Sequence, residues 1–319
     1  VRKRIFFICG SMNQTTQMHQ ISRHLGEYDH AFSPYYCDGL HEILRRRGLM
    51  EFTIIGNKLA GRCRMYLEKH NLPIDYQGKN RPYDLVLTSS DVYLQKNIRD
   101  HRIVLVQEGI TDAETIWFRL VKRFRFLPRW LTGTSATGLS DAYRFFCVAS
   151  EGYRDFFIRK GVRPEKIIVT GIPNFDDCQR YCCNDFPHRH YVLVCTSPLR
   201  EIFQGEDREA FLRKAVEIAG GRQLVFKLHP NENAQRATRE ILQHAPEAMV
   251  FTTGSAEEMI ANCDVLMTRF SSTAFVGIAL GKETYSDFDM DELRRLMPVQ
   301  NASAALNIAN VCRRLLEED

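Results

Sequence analysis

Two apolar runs in the last third of the chain end in residues able to hold an anion. VFKL, at 225–228, runs into His229 and Pro230, and VLMT, at 265–268, runs into Arg269, Phe270 and the triplet Ser271, Ser272, Thr273. In an open parallel α/β sheet, ligands bind beyond the carboxyl ends of the strands, so polar turns at two neighbouring strand ends point to one crevice. The three hydroxyls, with the N–H groups of a helix starting at AFVGIALG, form a site suited to a phosphate-bearing ligand; simple capping of that helix is the plainer role. Arg269 strengthens such a site, because a guanidinium fork matches phosphate geometry. His229 is able to donate a hydrogen bond to the phosphate, and Pro230 fixes the turn that aims it. Lys227 shares a strand face with His229 and either adds charge or is solvated. Ser197, Pro198 and Arg200 follow another apolar run and either border the same ligand or form an ordinary surface loop.

The first half holds fewer such residues. Glu108 and Gly109 follow the run RIVLVQ, and Asp112 lies one turn further on. Acids at this point serve either chemistry or the positive end of a helix macrodipole. Ser11, Asn13, Gln14 and Thr15 form a polar loop after the first apolar run, open to a ligand or to solvent. The segment WFRLVKRFRFLPRW contains both tryptophans, Trp117 and Trp130, interleaved with Arg119, Lys122, Arg123, Arg125 and Arg129. Basic residues among Trp and Phe suit a membrane-surface helix on anionic headgroups, and a lipid-linked acceptor would explain them; a partly buried helix with a solvated cationic face is the alternative.

These residues sit in a regular rhythm. Short apolar runs bounded by turn chemistry predict strands at 4–9, 51–55, 84–88, 102–107, 144–149 and 166–170, and again at 191–195, 224–228, 248–251 and 265–268. Helices are predicted at 150–160, 207–219, 256–261 and 304–316, the last with Ser303 as its N-cap. Alternating strands and helices imply parallel sheets. At 319 residues the chain is long enough for two domains. CQRYCCNDFPHRH has no apolar period and carries Pro187, which places the boundary near 185 and gives domains at 1–185 and 186–319.

Composition narrows the class. With 44% hydrophobic and 26% charged residues, the chain is an ordinary globular protein, and a net charge of +4 is too small to indicate a nucleic-acid partner. Ten scattered cysteines, several inside apolar runs, read as reduced thiols, and Cys178, Cys182 and Cys183 lack the paired spacing of a zinc site. The opening VRKRIFFICG is too short for a signal-peptide core, and no stretch approaches the roughly 20 apolar residues of a membrane span, so a cytoplasmic protein is expected. CGSMNQTTQ after the first strand has one glycine where a dinucleotide fingerprint needs three, so a nicotinamide or flavin cofactor is disfavoured; there is no P-loop.

VTGIPNFDD at 169–177, KLHPNEN at 227–233 and CDVLMTRFSSTAFVGIALGK at 263–282, taken in order, resemble the two-domain GT-B glycosyltransferases over most of the chain. The first phrase looks like the V-x-G-N/I-P-x-x-D segment before the interdomain linker of sugar-nucleotide 2-epimerases and lipid A disaccharide synthase. Bacterial sialyltransferases and capsule Kdo transferases carry an acidic pair with a following Gly, an HP motif and a Ser-Ser/Thr motif; CDP-glycerol phosphotransferases share the last two. The matching residues here are Gln107-Glu108-Gly109, His229-Pro230 and Ser271-Ser272-Thr273, with Gln107 departing from the usual acid. The epimerases' H-R-x-E-N and S-G-G-x-x-E-E stretches are replaced by SPLREIFQGED and SSTAFVG, which makes epimerase chemistry the weaker match.

The resemblance implies two Rossmann-like parallel-sheet α/β domains facing a cleft, with the acceptor on the first and the nucleotide-activated donor, CMP-linked in the nearest branch, on the second. It implies a sugar transferase acting on a surface-polysaccharide or lipid-linked acceptor without a metal or further cofactor, at the inner face of the membrane. Glu108 would be the base that takes the acceptor proton, with Asp112 in reserve, while His229 and the Ser271–Thr273 turn hold the departing phosphate. The rivals are a CDP-glycerol or ribitol phosphotransferase, a UDP-GlcNAc 2-epimerase-like enzyme, and a binding protein that has lost turnover.

Overall fold

A computed structural model describes residues 2–50, 56–80, 82–111, 114, 116–124, 127, 129–202 and 205–318. The strand expected at 51–55 and the reserve acid Asp112 lie outside these residues.

The chain divides into two compact units, Val1–Asp176 with Asn301–Asp319, and Asp177–Gln300. In the first are β1 (Arg4–Ile8), α1 (Met12–Ser22), β2 (Asp29–Ser33), α2 (Gly39–Arg46), α3 (Asn57–Lys69), β3 (Leu85–Thr88), β4 (Ile103–Val106), α4 (Ile116–Arg123), β5 (Phe145–Val148), α5 (Glu151–Lys160) and β6 (Ile167–Val169). The second holds β7 (Val192–Cys195), α6 (Arg208–Ala219), β8 (Leu224–Lys227), α7 (Ala234–His244), β9 (Met249–Phe251), α8 (Ala256–Asn262), β10 (Val265–Thr268), α9 (Thr273–Ala279), β11 (Glu283–Tyr285) and α10 (Met290–Arg295). The last helix, α11 (Ala304–Glu317), returns to the first unit.

Each unit is built on a wholly parallel sheet, ordered β2-β1-β3-β4-β5-β6 in the first and β11-β10-β7-β8-β9 in the second. Their strands LVLT, IVLV, VLVC and VLMT are buried at every position. Strands without polar alternation are those covered by helices on both faces. In both sheets the order reverses beside the first strand, at β1/β3 and at β7/β10. Such reversals leave a crevice at the carboxyl ends.

The expected division near residue 185 placed everything after it in the second domain; α11 instead packs in the first core. Ile308, Cys312 and Leu316 join Met18, Ile21 and Leu25 there. Its start is set from the end of β6. Gly171 takes φ +78°, and a side chain there would stand 3.0 Å from the Ala304 Cβ. Asp176 Oδ2 accepts the Ala304 N–H at 2.8 Å. Ser303, the expected cap, makes no capping bond; its hydroxyl donates to Asn301 Oδ1 at 2.7 Å. Among the described residues, no helix is long and apolar enough to cross a membrane.

Candidate functional site

In the first unit, Glu108 stands two residues past β4 and is met by the start of α1. Ser11, expected in a loop with Asn13, Gln14 and Thr15, is instead the N-cap of α1, and the other three lie in the helix. The Ser11 hydroxyl accepts the Gln14 N–H at 3.1 Å and donates to Glu108 Oε1 at 2.6 Å. Gln14 Nε2 donates to Glu108 Oε2 at 2.7 Å, so both carboxylate oxygens are engaged from one helical turn. Gly10 makes this approach possible, since a Cβ there would fall 2.5 Å from Tyr36 Cε1 and 2.9 Å from Gln14 Oε1. Burial pushes the Tyr36 phenol well above its ordinary range.

Gln107, which stands where the resembling enzymes have an acid, has a structural task. It is buried; its amide nitrogen donates to Gly109 O at 2.9 Å and its oxygen accepts the Ala149 N–H at 2.9 Å, tying the ends of β4 and β5 together. Asn13 presents its carbonyl to Asn174 Nδ2 at 2.8 Å, linking α1 to the V-x-G-I-P-N phrase. Trp117, Arg119, Lys122 and Arg123 fall in α4, with all three cationic side chains exposed, and Trp130 falls in a 3-10 segment, Arg129–Ala136.

In the second unit, His229 follows β8. Its N–H is directed to Glu232 Oε2 at 2.9 Å and to the Thr196 hydroxyl at 3.1 Å. Its Nδ1 accepts the Asn231 N–H at 3.1 Å, which in the neutral ring puts the proton on Nε2. His229 is half-buried, and Pro230 is exposed beside it. Glu232, which also accepts the Thr196 hydroxyl, has a side chain only 2% exposed, and burial pushes its carboxyl up. Sequence reasoning missed Glu232 and Thr196. The signal for Glu232 was its place three residues after the histidine, where a carboxylate can reach back to a turn N–H.

Several cations expected at the phosphate site are otherwise employed. Lys227 is neither solvated nor presented to a ligand: it is 7% exposed, its Nζ donates to Leu228 O at 3.1 Å, and burial pushes its ammonium down. Arg200 forms a two-pronged pair with Glu240 at 2.8 and 2.7 Å. Arg269 pairs with Asp287 at 2.6 Å. Both also lie against Glu206, at 3.2 and 3.5 Å, as does Arg208 at 3.5 Å. The Glu206 side chain is 1% exposed and forms the centre of a three-arginine cluster that sequence reasoning did not find. Ser197 is buried rather than part of an open loop.

Ser271, Ser272 and Thr273 lie at the start of α9, beyond β10. The Ser271 hydroxyl accepts from the Thr273 N–H at 3.3 Å and from the Thr273 hydroxyl at 2.9 Å. Ser272, at the N-cap position, makes no side-chain capping bond. The Ser271 and Thr273 hydroxyls thus order one another, at the end of the strand that pairs with β7.

No protein-family model and no curated protein sequence matches the chain. Solved structures do match it. The UDP-GlcNAc 2-epimerase of Methanocaldococcus jannaschii, in complex with UDP-GlcNAc and UDP, is similar at 13% identity and TM-score 0.58, over 99% of this chain and 93% of that one. MnaA of S. aureus with UDP matches at 11% identity and TM-score 0.55, over 99% and 88%. A variant of the wall teichoic acid polymerase TagF soaked with CDPG matches at 12% identity and TM-score 0.51, over 99% and 89%. The fold shared with these proteins is that of two Rossmann-like parallel-sheet α/β domains, the GT-B fold.

Proposed function

We propose that the chain is a metal-independent glycosyltransferase that moves a sugar from a nucleotide-activated donor to a glycan or lipid-linked acceptor. The observation that carries this reading is the Glu108 carboxylate, held on both oxygens by Ser11 and Gln14 beyond the carboxyl end of β4. A carboxylate fixed in this way is suited to take the proton of an attacking hydroxyl. In the second unit, the Nε2–H of His229 is the donor that would meet the leaving phosphate, with the Ser271 and Thr273 hydroxyls further along the strand ends. The fold shared with proteins solved with UDP-GlcNAc, UDP and CDPG supports a nucleotide-linked donor.

The test is thermal stabilisation by CMP, CDP, UMP, UDP and GDP, followed by transfer assays with the nucleotide that binds. A ligand that binds only the folded state raises the apparent melting temperature by mass action. The expected shift is lost in His229→Ala and kept in Glu108→Gln, whose transfer rate falls by about 10²–10⁴-fold. Full transfer by Glu108→Gln would remove the base assignment, and no shift with any nucleotide would remove the donor site.

The likeness to TagF favours one second reading, a phosphotransferase that adds glycerol or ribitol phosphate from a CDP donor using the same His-Pro and Ser-Ser turns. Its product would be a phosphodiester with release of CMP, whereas the glycosyltransferase leaves a glycosidic bond.

A further inference from the structure

Among the described side chains of helix α4, the buried ones lie on one side. Phe118 is 2% exposed and Val121 7%, and Lys122 Nζ donates to Lys160 O at 3.1 Å, which fastens this side to the rest of the unit. The opposite side carries a second apolar row, with Ile116, Leu120 and Phe124 at 75%, 37% and 45% exposure. Members four residues apart lie one turn above another on a single face. The Phe124 N–H donates to Leu120 O at 2.8 Å, so the row keeps helical geometry to its end. A helix docked by one apolar stripe needs no second one for folding.

Exposed Arg119 and Arg123 lie beside this row, and α4 contains no acid. Behind the helix is a cavity of about 550 Å³ whose wall includes Phe118, Lys122, Arg129, Lys160 and Arg163. The one acid among its described lining residues, Asp141, is already held by Arg163 at 2.8 Å and Lys166 at 2.7 Å. An apolar row edged by Arg119 and Arg123, on a helix without acids, is complementary to a surface with an apolar interior and phosphate headgroups.

We infer that this face of the first unit binds the surface of an anionic phospholipid bilayer. Ile116, Leu120 and Phe124 enter the boundary between headgroups and acyl chains, while Arg119 and Arg123 meet lipid phosphates. An exposed apolar row with cations beside it and no acid on the same helix is the pattern of a helix lying in a bilayer interface, its apolar face at the acyl boundary and its cations at anionic headgroups. The inference does not depend on the transfer reaction and is tested without donor or acceptor.

The experiment is co-sedimentation of the full chain with vesicles of phosphatidylcholine alone and of an equimolar phosphatidylcholine and phosphatidylglycerol mixture. The wild-type chain is expected to bind the anionic vesicles and not the neutral ones. Leu120→Ser with Phe124→Ser, and separately Arg119→Glu with Arg123→Glu, are each expected to weaken binding by about tenfold or more, since each basic residue near an anionic surface contributes appreciably. Both tryptophans lie in this region, so a blue shift of the wild-type emission on adding anionic vesicles gives the same answer without a variant. Failure to bind anionic vesicles would overturn the inference. So would equal binding by the serine variant, which would reduce the contact to general charge, or a dimer in solution broken by that variant.

Discussion

Ser11 holds two parts of the candidate site together, because one hydroxyl caps α1 and also orients Glu108. Ser11→Ala is therefore expected to lower stability by about 1 kcal/mol through the lost cap. It should also lower the turnover of any transfer reaction by roughly ten- to a hundredfold, because the base is less well aimed. As the donor residues proposed here lie in the other unit, KM for the nucleotide donor should not move, and Ser11→Thr should restore both effects. A rise in KM at unchanged kcat would show that Ser11 serves binding instead. In the sequence, Ser11 and Glu108 were separate candidates 97 residues apart, and no local pattern connects them. What joins them is sheet order: β1 and β4 flank β3, so the helix leaving one strand starts above the ends of the others. Arg200 and Arg269 show the converse. Their residue type suggested an anion site, but their acids, Glu240 and Asp287, stand 40 and 18 residues further on, where residue type alone cannot pair them.

At the scale of the element, α2 makes stability depend on pH. Glu42 accepts Arg45 at 2.8 and 2.9 Å, Arg46 at 2.7 Å and the Cys37 thiol at 3.0 Å. Burial by itself would raise this carboxyl, but these donors and the Arg45 charge outweigh it and bring the group from 4.5 down to about 2. A folded value below the unfolded one gives stability that is present above about 4.5 and lost as pH falls toward 2. At about 1.4 kcal/mol per unit the effect is on the order of 3 kcal/mol, reduced by what solvent screens. In urea unfolding, Glu42→Gln should be less stable than wild type near pH 5, with the difference shrinking at about pH 3. Parallel loss of stability in both proteins would assign the acid sensitivity elsewhere. Elements also differ in how plainly the sequence announces them. The inner strands are unbroken apolar runs and were found to within one or two residues. β2, reading DHAFS, and β11, reading ETY, were not found, because neither is a continuous apolar run; the other two edge strands, β6 reading IIV and β9 reading MVF, are such runs and were found.

At the scale of the whole molecule, the first unit is completed by the far end of the chain. An amphipathic helix at 304–316 was legible, but the core that receives it was not, since its apolar stripe would suit either sheet. The answer lies in the phrase VTGIPNFDD, whose Gly171 admits the close approach of Ala304 and whose Asp176 caps α11. Arg313 adds a 2.6 Å pair with Glu27, and Arg102 donates to Leu315 O at 2.7 Å. Ending the chain at Gln300 would expose the groove filled by Ile308, Leu315 and Leu316, all 3% exposed or less. Three such side chains contribute roughly 1.5–3 kcal/mol each, a sum comparable with the 5–15 kcal/mol of a typical domain. The truncated chain should therefore lose the first unit and keep the second. Both tryptophans belong to the first unit, so their emission reports it alone, while a protease-resistant fragment spanning about 177–300 reports the other. Red-shifted emission without denaturant, together with that fragment, is the expected result. Wild-type emission and an unchanged urea midpoint in the truncated chain would mean that the first core closes without α11, leaving Asp176 and Gly171 without the role assigned to them.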